Sequence, residues 1–156
     1  MSRDEATFQT EIKRSFDKFC ADMKIKRYYH KPPDLGLRNP FDCYLAYETK
    51  NLACLELKNS KNYRNKDGSM NFTAMFGYGK QEHEILNLIK IEKIGFKGFV
   101  IVNDFFDRLN NRAYALLPDV AYSFYEFGTI NLKTIQRKSI EIPRIKGSMW
   151  ELSVIL

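Results

Sequence analysis

The sequence predicts an α/β fold, a mixed β-sheet flanked by helices, as one domain over residues 1–156. Three observations predict it. Phe8, Ile12, Phe16, Phe19 and Met23 recur at spacings of three and four, which marks a helix with one buried face over about residues 5 to 23. Two apolar runs, one from Phe41 to Tyr47 and one ending at Glu56-Leu57-Lys58, flank the polar stretch Glu48-Thr49-Lys50-Asn51, as in a β-hairpin. The remaining segments then alternate between helical and strand patterns, giving the order α-β-β-β-α-β-β-α.

After the first helix, Ile25 to His30 reads as a short strand, and Lys31-Pro32-Pro33-Asp34-Leu35-Gly36 breaks regular structure. The hairpin follows. Asn59 to Gly79 is polar and glycine-bearing and reads as a long loop, a length often tied to function. Its bases Lys61, Arg64 and Lys66, with Lys80 after it, interleave with Tyr63, Phe72, Phe76 and Tyr78. That pattern suits a surface tracking a nucleic-acid strand, or equally a charged loop whose aromatics cover the core. A second helix covers about Lys80 to Glu92, with Ile85, Leu88 and Ile89 buried, Gln81 one turn before Ile85, and Gly95 at its end. Lys97 to Val102 reads as a buried strand, Asn103 to Asn111 as a loop and Arg112 to Leu117 as a strand. Pro118-Asp119 opens a third helix to about Phe127. Ile130 to Leu156 reads as irregular, with one short strand near Trp150 to Ile155.

The 44% hydrophobic content and 12 Phe argue for a globular chain and against disorder. No apolar run approaches the ~18 to 20 residues of a membrane span, and Met1-Ser2-Arg3-Asp4-Glu5 has no signal-peptide pattern, so no membrane association and a cytosolic location are expected. Cys20, Cys43 and Cys54 form an odd set without CxxC spacing, which points to buried free thiols rather than a disulfide framework or zinc site. His83, between Glu82 and Glu84, reads as a solvated histidine. The net charge of +6 favours a polyanionic partner such as nucleic acid.

The sharpest chemical signal is Asp42 followed by Glu56-Leu57-Lys58. In an antiparallel hairpin residue 42 faces residues 56 to 58, and Glu56 and Lys58, two apart on a strand, share a face. Two carboxylates and an ammonium in one place can hold Mg²⁺ and activate water against a phosphodiester. Asp42 and Glu56 would supply carboxylates, and the Leu57 carbonyl a third oxygen. Lys58 would position water or stabilise phosphate charge, Gln81 would orient water or phosphate, and Glu11 would reach a second metal or a bound water from the first helix.

Helix with Glu, acidic hairpin, E-x-K, then helix opening on Gln: this order resembles the core of the PD-(D/E)XK nuclease superfamily. Pro40-Phe41-Asp42 stands for one half of the motif and Glu56-Leu57-Lys58 for the other. Glu56-Leu57-Lys58-Asn59-Ser60-Lys61-Asn62 is similar to the E-A-K-E-T-K-N run of the RecU family of Holliday junction resolvases. Gln81-Glu82-His83-Glu84-Ile85-Leu86, Gly98-Phe99-Val100-Ile101-Val102, Tyr28-Tyr29-His30-Lys31-Pro32-Pro33 and Ile142-Pro143-Arg144-Ile145 resemble further segments of that family, in the same order. The family's projecting stalk before the catalytic aspartate has no counterpart here, where only Asp34 to Phe41 fills the interval.

The resemblance implies a restriction-endonuclease-like core forming a single nuclease domain, and a Mg²⁺-dependent endonuclease, with Mn²⁺ able to substitute, that resolves four-way junctions in DNA recombination and repair. A nuclease acting on linear duplex and a non-catalytic recombination accessory protein stand as alternatives. The resemblance also implies branched DNA as partner, a homodimer with two symmetric sites, and possible recombination proteins. Tyr122 to Phe127 and the apolar helix faces are candidates for a dimer interface. Lys61, Arg64, Lys66 and Lys80 are the candidate DNA-binding residues.

Overall fold

The computed structural model describes residues 3–32, 39–48, 51–106, 111–145 and 148–156. The chain is α/β, a mixed sheet with helices on both faces. Helix α1 (Arg3–Met23) leads into β1 (Arg27–His30), β2 (Cys43–Tyr47) and β3 (Asn51–Asn59). Then come β4 (Met70–Asn71), α2 (Phe72–Met75), a 3-10 turn (Gly77–Gly79), α3 (Glu82–Lys93), β5 (Lys97–Asp104), β6 (Arg112–Leu116) and α4 (Pro118–Phe127). The chain closes with β7 (Thr129–Ile130), α5 (Leu132–Lys138), β8 (Ile140–Ile142), β9 (Arg144–Ile145), β10 (Met149–Trp150) and a second 3-10 turn (Leu152–Val154).

Six strands form the main sheet in the order β1-β2-β3-β5-β6-β8. Only β3 and β5 pair in parallel; the other neighbours are antiparallel. The parallel pair needs a crossover, and α3 supplies it, running back over the sheet so that its N-terminus lies at the C-terminal end of β3. β3 is central and buried from Ala53 to Asn59, so its two faces alternate between two cores. Ala53, Leu55 and Leu57 join Phe8, Ile12, Phe16 and Cys20 of α1 and Trp150 and Leu152 of the tail. Cys54 points the other way, with Val100, Val102 and Tyr114, towards Phe72, Ile85, Leu88, Phe124 and Ile135 of α2 to α5. Glu56 and Lys58 share the Cys54 face, so two charged residues enter a core interval between strand and helix.

Several expected elements hold. α1 starts two residues earlier than the apolar spacing suggests, and α4 has the expected bounds. The hairpin register pairs Cys43 with Leu55, which places Asp42 opposite Glu56. Residues 33–36 of the expected break, 49–50 of the turn and 107–110 of the expected loop lie outside the described residues. The three thiols are free and buried, and among the described residues no helix is long and apolar enough to cross a membrane.

Two expectations need correction. Ile130 to Leu156 is not irregular: it contains α5, whose Asn131 side chain caps the Thr134 amide at 2.8 Å, and β8, which extends the main sheet. The strand expected over Trp150 to Ile155 is Met149–Trp150 followed by a 3-10 turn. These elements are short, and α5 buries only Ile135 of its seven residues, so they carry almost no periodic signal and owe their form to docking on β6. The Asn59 to Gly79 stretch is likewise built rather than open. Asn65 and Ser69 close a turn, Arg64 bridges to Met70, and Tyr63, Phe72 and Phe76 pack into the second core. Among the aromatics of that stretch, Tyr78 alone is exposed.

Candidate active site

Asp42 is placed from three sides. Phe41 before it is buried and packs edge-on against Tyr44, with ring centroids 4.6 Å apart. α3 grips the incoming chain: the His83 ring nitrogen Nε2 lies 3.1 Å from the Asn39 carbonyl, and Asn87 Nδ2 donates to the Pro40 carbonyl at 3.4 Å. His83 is therefore a half-buried anchor and not the solvated residue expected. The Asp42 carboxylate then accepts the Leu57 amide on Oδ2 at 2.8 Å and Gln9 Nε2 on Oδ1 at 3.0 Å. Lys31 Nζ donates to Gln9 Oε1 at 2.7 Å, so the segment after β1 is wired to Asp42 through one amide.

Glu56 and Lys58 form the second half. Lys58 Nζ lies 2.6 Å from Glu56 Oε1, 3.0 Å from Glu84 Oε2 and 3.1 Å from Gln81 Oε1, with the Phe76 ring centroid 4.7 Å away. The lysine side chain is only 3% exposed, so its stem is packed and its ammonium sits in a cage of three oxygens and one aromatic face. Gln81 occupies the N-cap position of α3, its side chain turned to Lys58, and Glu84 is three residues further, hence both face the strand from one side of the helix.

The electrostatics are unbalanced. Asp42, Glu56 and Glu84 bring three carboxylates against one ammonium. Burial pushes the Asp42 carboxyl up to about 7, helped by the neighbouring Glu56 charge and opposed by the Leu57 amide and Lys58. Burial also raises Glu56, with Glu84 adding to the rise and Lys58 opposing it. Burial alone would lower the Lys58 ammonium, but Glu56 and Glu84 outweigh it and hold the group firmly charged. Glu56 Oε2 is buried with no hydrogen-bond partner among the described residues. A buried acceptor costs ~1–3 kcal/mol when left unpaired, more when charged.

The structure thus brings Asp42, Glu56, Lys58, Gln81 and the Leu57 backbone to one place. Glu11 is directed elsewhere: its Oε2 accepts Trp150 Nε1 at 3.0 Å and its Oε1 lies 3.5 Å from Arg144. Glu5 of α1, one turn before Gln9, adds a small upward push to the Asp42 carboxyl. Arg64, expected to face nucleic acid, is tied to buried Asp104 at 2.6 Å. Lys61 pairs with Asp4 at 3.0 Å on the surface, and Lys66 and Lys80 are exposed. Sequence reasoning missed Glu84, Gln9, Lys31 and Phe76. Only Glu84 had a readable signal, its three-residue spacing from Gln81 on a helix.

The chain matches no known protein-family model, and a search of curated proteins finds no match.

Among the described residues no group of three or more His, Cys, Asp or Glu side chains is arranged to hold a metal ion. The donors at this site are two carboxylates and a main-chain carbonyl. A strand residue directs its N–H and C=O to the same side, so the Leu57 carbonyl shares the side on which its amide meets Asp42. One or two carboxylates with retained waters suit Mg²⁺, a hard oxygen-seeking ion that seldom uses an all-protein cage. The unpartnered Glu56 oxygen and the surplus of acid fit such a cation.

Proposed function

We propose that the chain is a divalent-metal-dependent DNA endonuclease with a restriction-endonuclease-like core, selective for branched DNA and acting on four-way junctions in recombination and repair. The observation that carries this is the capture of Asp42 by the Leu57 amide beside the buried Glu56–Lys58 pair. It joins two halves of a motif fourteen residues apart into one acid-rich site at the C-terminal end of a parallel strand. The net charge of +6 and exposed Lys66 and Lys80 support a polyanionic substrate, held through phosphates without sequence readout.

Asp42 and Glu56 would hold Mg²⁺, or Mn²⁺ in its place, with the Leu57 carbonyl. The ion would polarise a phosphodiester oxygen and lower the pKa of a bound water. Lys58, once Glu56 is neutralised, is free to donate to the charge that develops on the phosphate, and Gln81 and Glu84 keep its ammonium in place. A homodimer would present two such sites to a two-fold symmetric junction. Tyr122 to Phe127 offers exposed Phe127 for that contact, while Phe124 belongs to the core. Recombination proteins are the natural partners of such an activity.

A cleavage assay at low salt tests this reading. Labelled four-way junction and matched linear duplex are incubated with wild type and Asp42→Asn, with Mg²⁺ or EDTA. Paired Mg²⁺-dependent nicks in the junction, lost in the variant, are expected. Equal cutting of both DNAs would remove the junction selectivity and keep the nuclease. Binding without cutting would make this a recombination accessory protein.

A further inference from the structure

Phe76 and Gln81 both touch the Lys58 ammonium, and the residues between them form a tight turn closed by the Gln81 amide on the Phe76 carbonyl at 3.2 Å. At its tip sits Tyr78, with φ 52° and ψ 48°, in the left-handed region that β-carbon sterics disfavour. Gly77 and Gly79 on either side also have positive φ, at 63° and 98°, where glycine is at ease. The turn therefore spends two glycines to present one strained aromatic. Tyr78 is 75% exposed, and among the described residues its ring and hydroxyl have no partner. Every other aromatic from Tyr63 to Phe76 is at least partly buried against the second core. Lys80, two residues on, is exposed as well.

A rigid turn pinned at both ends to the site lysine holds an unpartnered ring within two peptide units of Phe76, ~8 Å of backbone at most. Residues held in sparsely populated backbone regions cluster at active sites and ligand clamps. We propose that Tyr78 is a substrate-contact residue that stacks on a nucleobase beside the phosphodiester held at Lys58. Every base has a π-face, so the contact is indifferent to sequence and favours DNA whose bases are already unstacked, as at a branch point. This gives the site itself a means of preferring branched DNA. The inference rests on the nuclease reading above.

The test uses the full chain and junctions carrying 5-iodouracil at positions flanking the cut. Long-wavelength irradiation, followed by mass spectrometry, is expected to link the DNA to the peptide containing Tyr78. Tyr78→Gly should lose that crosslink and raise KM for the junction by about 10-fold, a loss typical of one base–aromatic stack, with a smaller change in kcat. Tyr78→Phe should keep both the crosslink and the KM. Because glycine relieves the φ strain, Tyr78→Gly should melt no lower than wild type, which separates loss of contact from loss of fold. A crosslink mapped elsewhere, or an unchanged KM in Tyr78→Gly while wild type cuts junctions, overturns the role of Tyr78 and leaves the nuclease standing. Wild type that neither binds nor cuts DNA overturns both.

Discussion

Two buried acidic clusters can be compared within this one fold. Around Glu11, one carboxylate meets two donors, the Trp150 indole and the Arg144 guanidinium, and Arg144 lies over the Trp150 ring at 5.1 Å. Ser15, one turn along α1, accepts the Trp150 amide at 2.8 Å, so this cluster ties the C-terminal segment to the first helix. Around Lys58, two carboxylates meet one ammonium with Asp42 a third beside them, one oxygen has no hydrogen-bond partner among the described residues, and two carboxyls are held above their usual range. The difference teaches how to tell structural burial from a site. A buried charge matched by its donors costs folding little, whereas surplus acid costs stability and persists where a cation completes it. The Arg64–Asp104 pair, one base and one acid at 2.6 Å, falls on the structural side.

The comparison breaks most visibly at Lys58. Lys58→Met leaves Glu56 and Glu84 facing each other without the ammonium, and removing one partner of a buried pair costs about 3–5 kcal/mol. Urea denaturation should show that loss, and cleavage should disappear with it. A variant as stable as wild type would mean that Lys58 does not compensate those acids.

Asp42→Asn should do the opposite to stability. A carboxyl raised to about 7 in the folded state and near 4 when unfolded binds more protons folded than unfolded across that interval. The group therefore costs nothing below pH ~4; stability falls as pH rises from there through about 7, where the buried carboxyl is half ionised, and the full loss is reached only above it. Metal-free wild type should lose stability over that window, in the same direction as the raised Glu56. The asparagine variant should escape part of the loss, gaining about 1–3 kcal/mol at pH 8. It can still accept the Leu57 amide. A pH series of melting curves in EDTA checks this, and a variant less stable than wild type at pH 8 would show that the surplus charge is not a burden.

Glu11→Gln sharpens the other side. The amide oxygen can keep the Trp150 bond and only the charge opposite Arg144 is lost, so a cost of about 1 kcal/mol is expected, with cleavage by the folded protein retained. A large drop in cleavage without loss of fold would move Glu11 into the site.

Much of this could be read from the chain because the informative residues lie on long regular elements. The apolar stripe from Phe8 to Phe16 shows α1, and the hairpin register that sets Asp42 opposite Glu56 follows from two apolar runs and the turn between them. Glu56 and Lys58 share a face by strand alternation alone. The partners that tune them were hidden for a physical reason. Gln9 and Phe76 reach Asp42 and Lys58 from elements distant in the sequence, and neither residue differs in type from ordinary helix or core residues. Glu11 misled because it lies on the helix that does border the site, but its side chain turns to Trp150, a contact spanning nearly the whole chain. Arg64 misled likewise, since composition cannot distinguish a base facing solvent from one facing a buried aspartate.

The most direct measurement is a Mn²⁺ titration of the DNA-free protein followed by electron paramagnetic resonance. The account predicts loss of the free-ion signal with wild type and with Glu11→Gln, and no such loss with Asp42→Asn or Glu56→Gln. Binding by the Asp42 and Glu56 variants equal to wild type, or none by wild type, would contradict the claim that the surplus acid around Lys58 is a cation site.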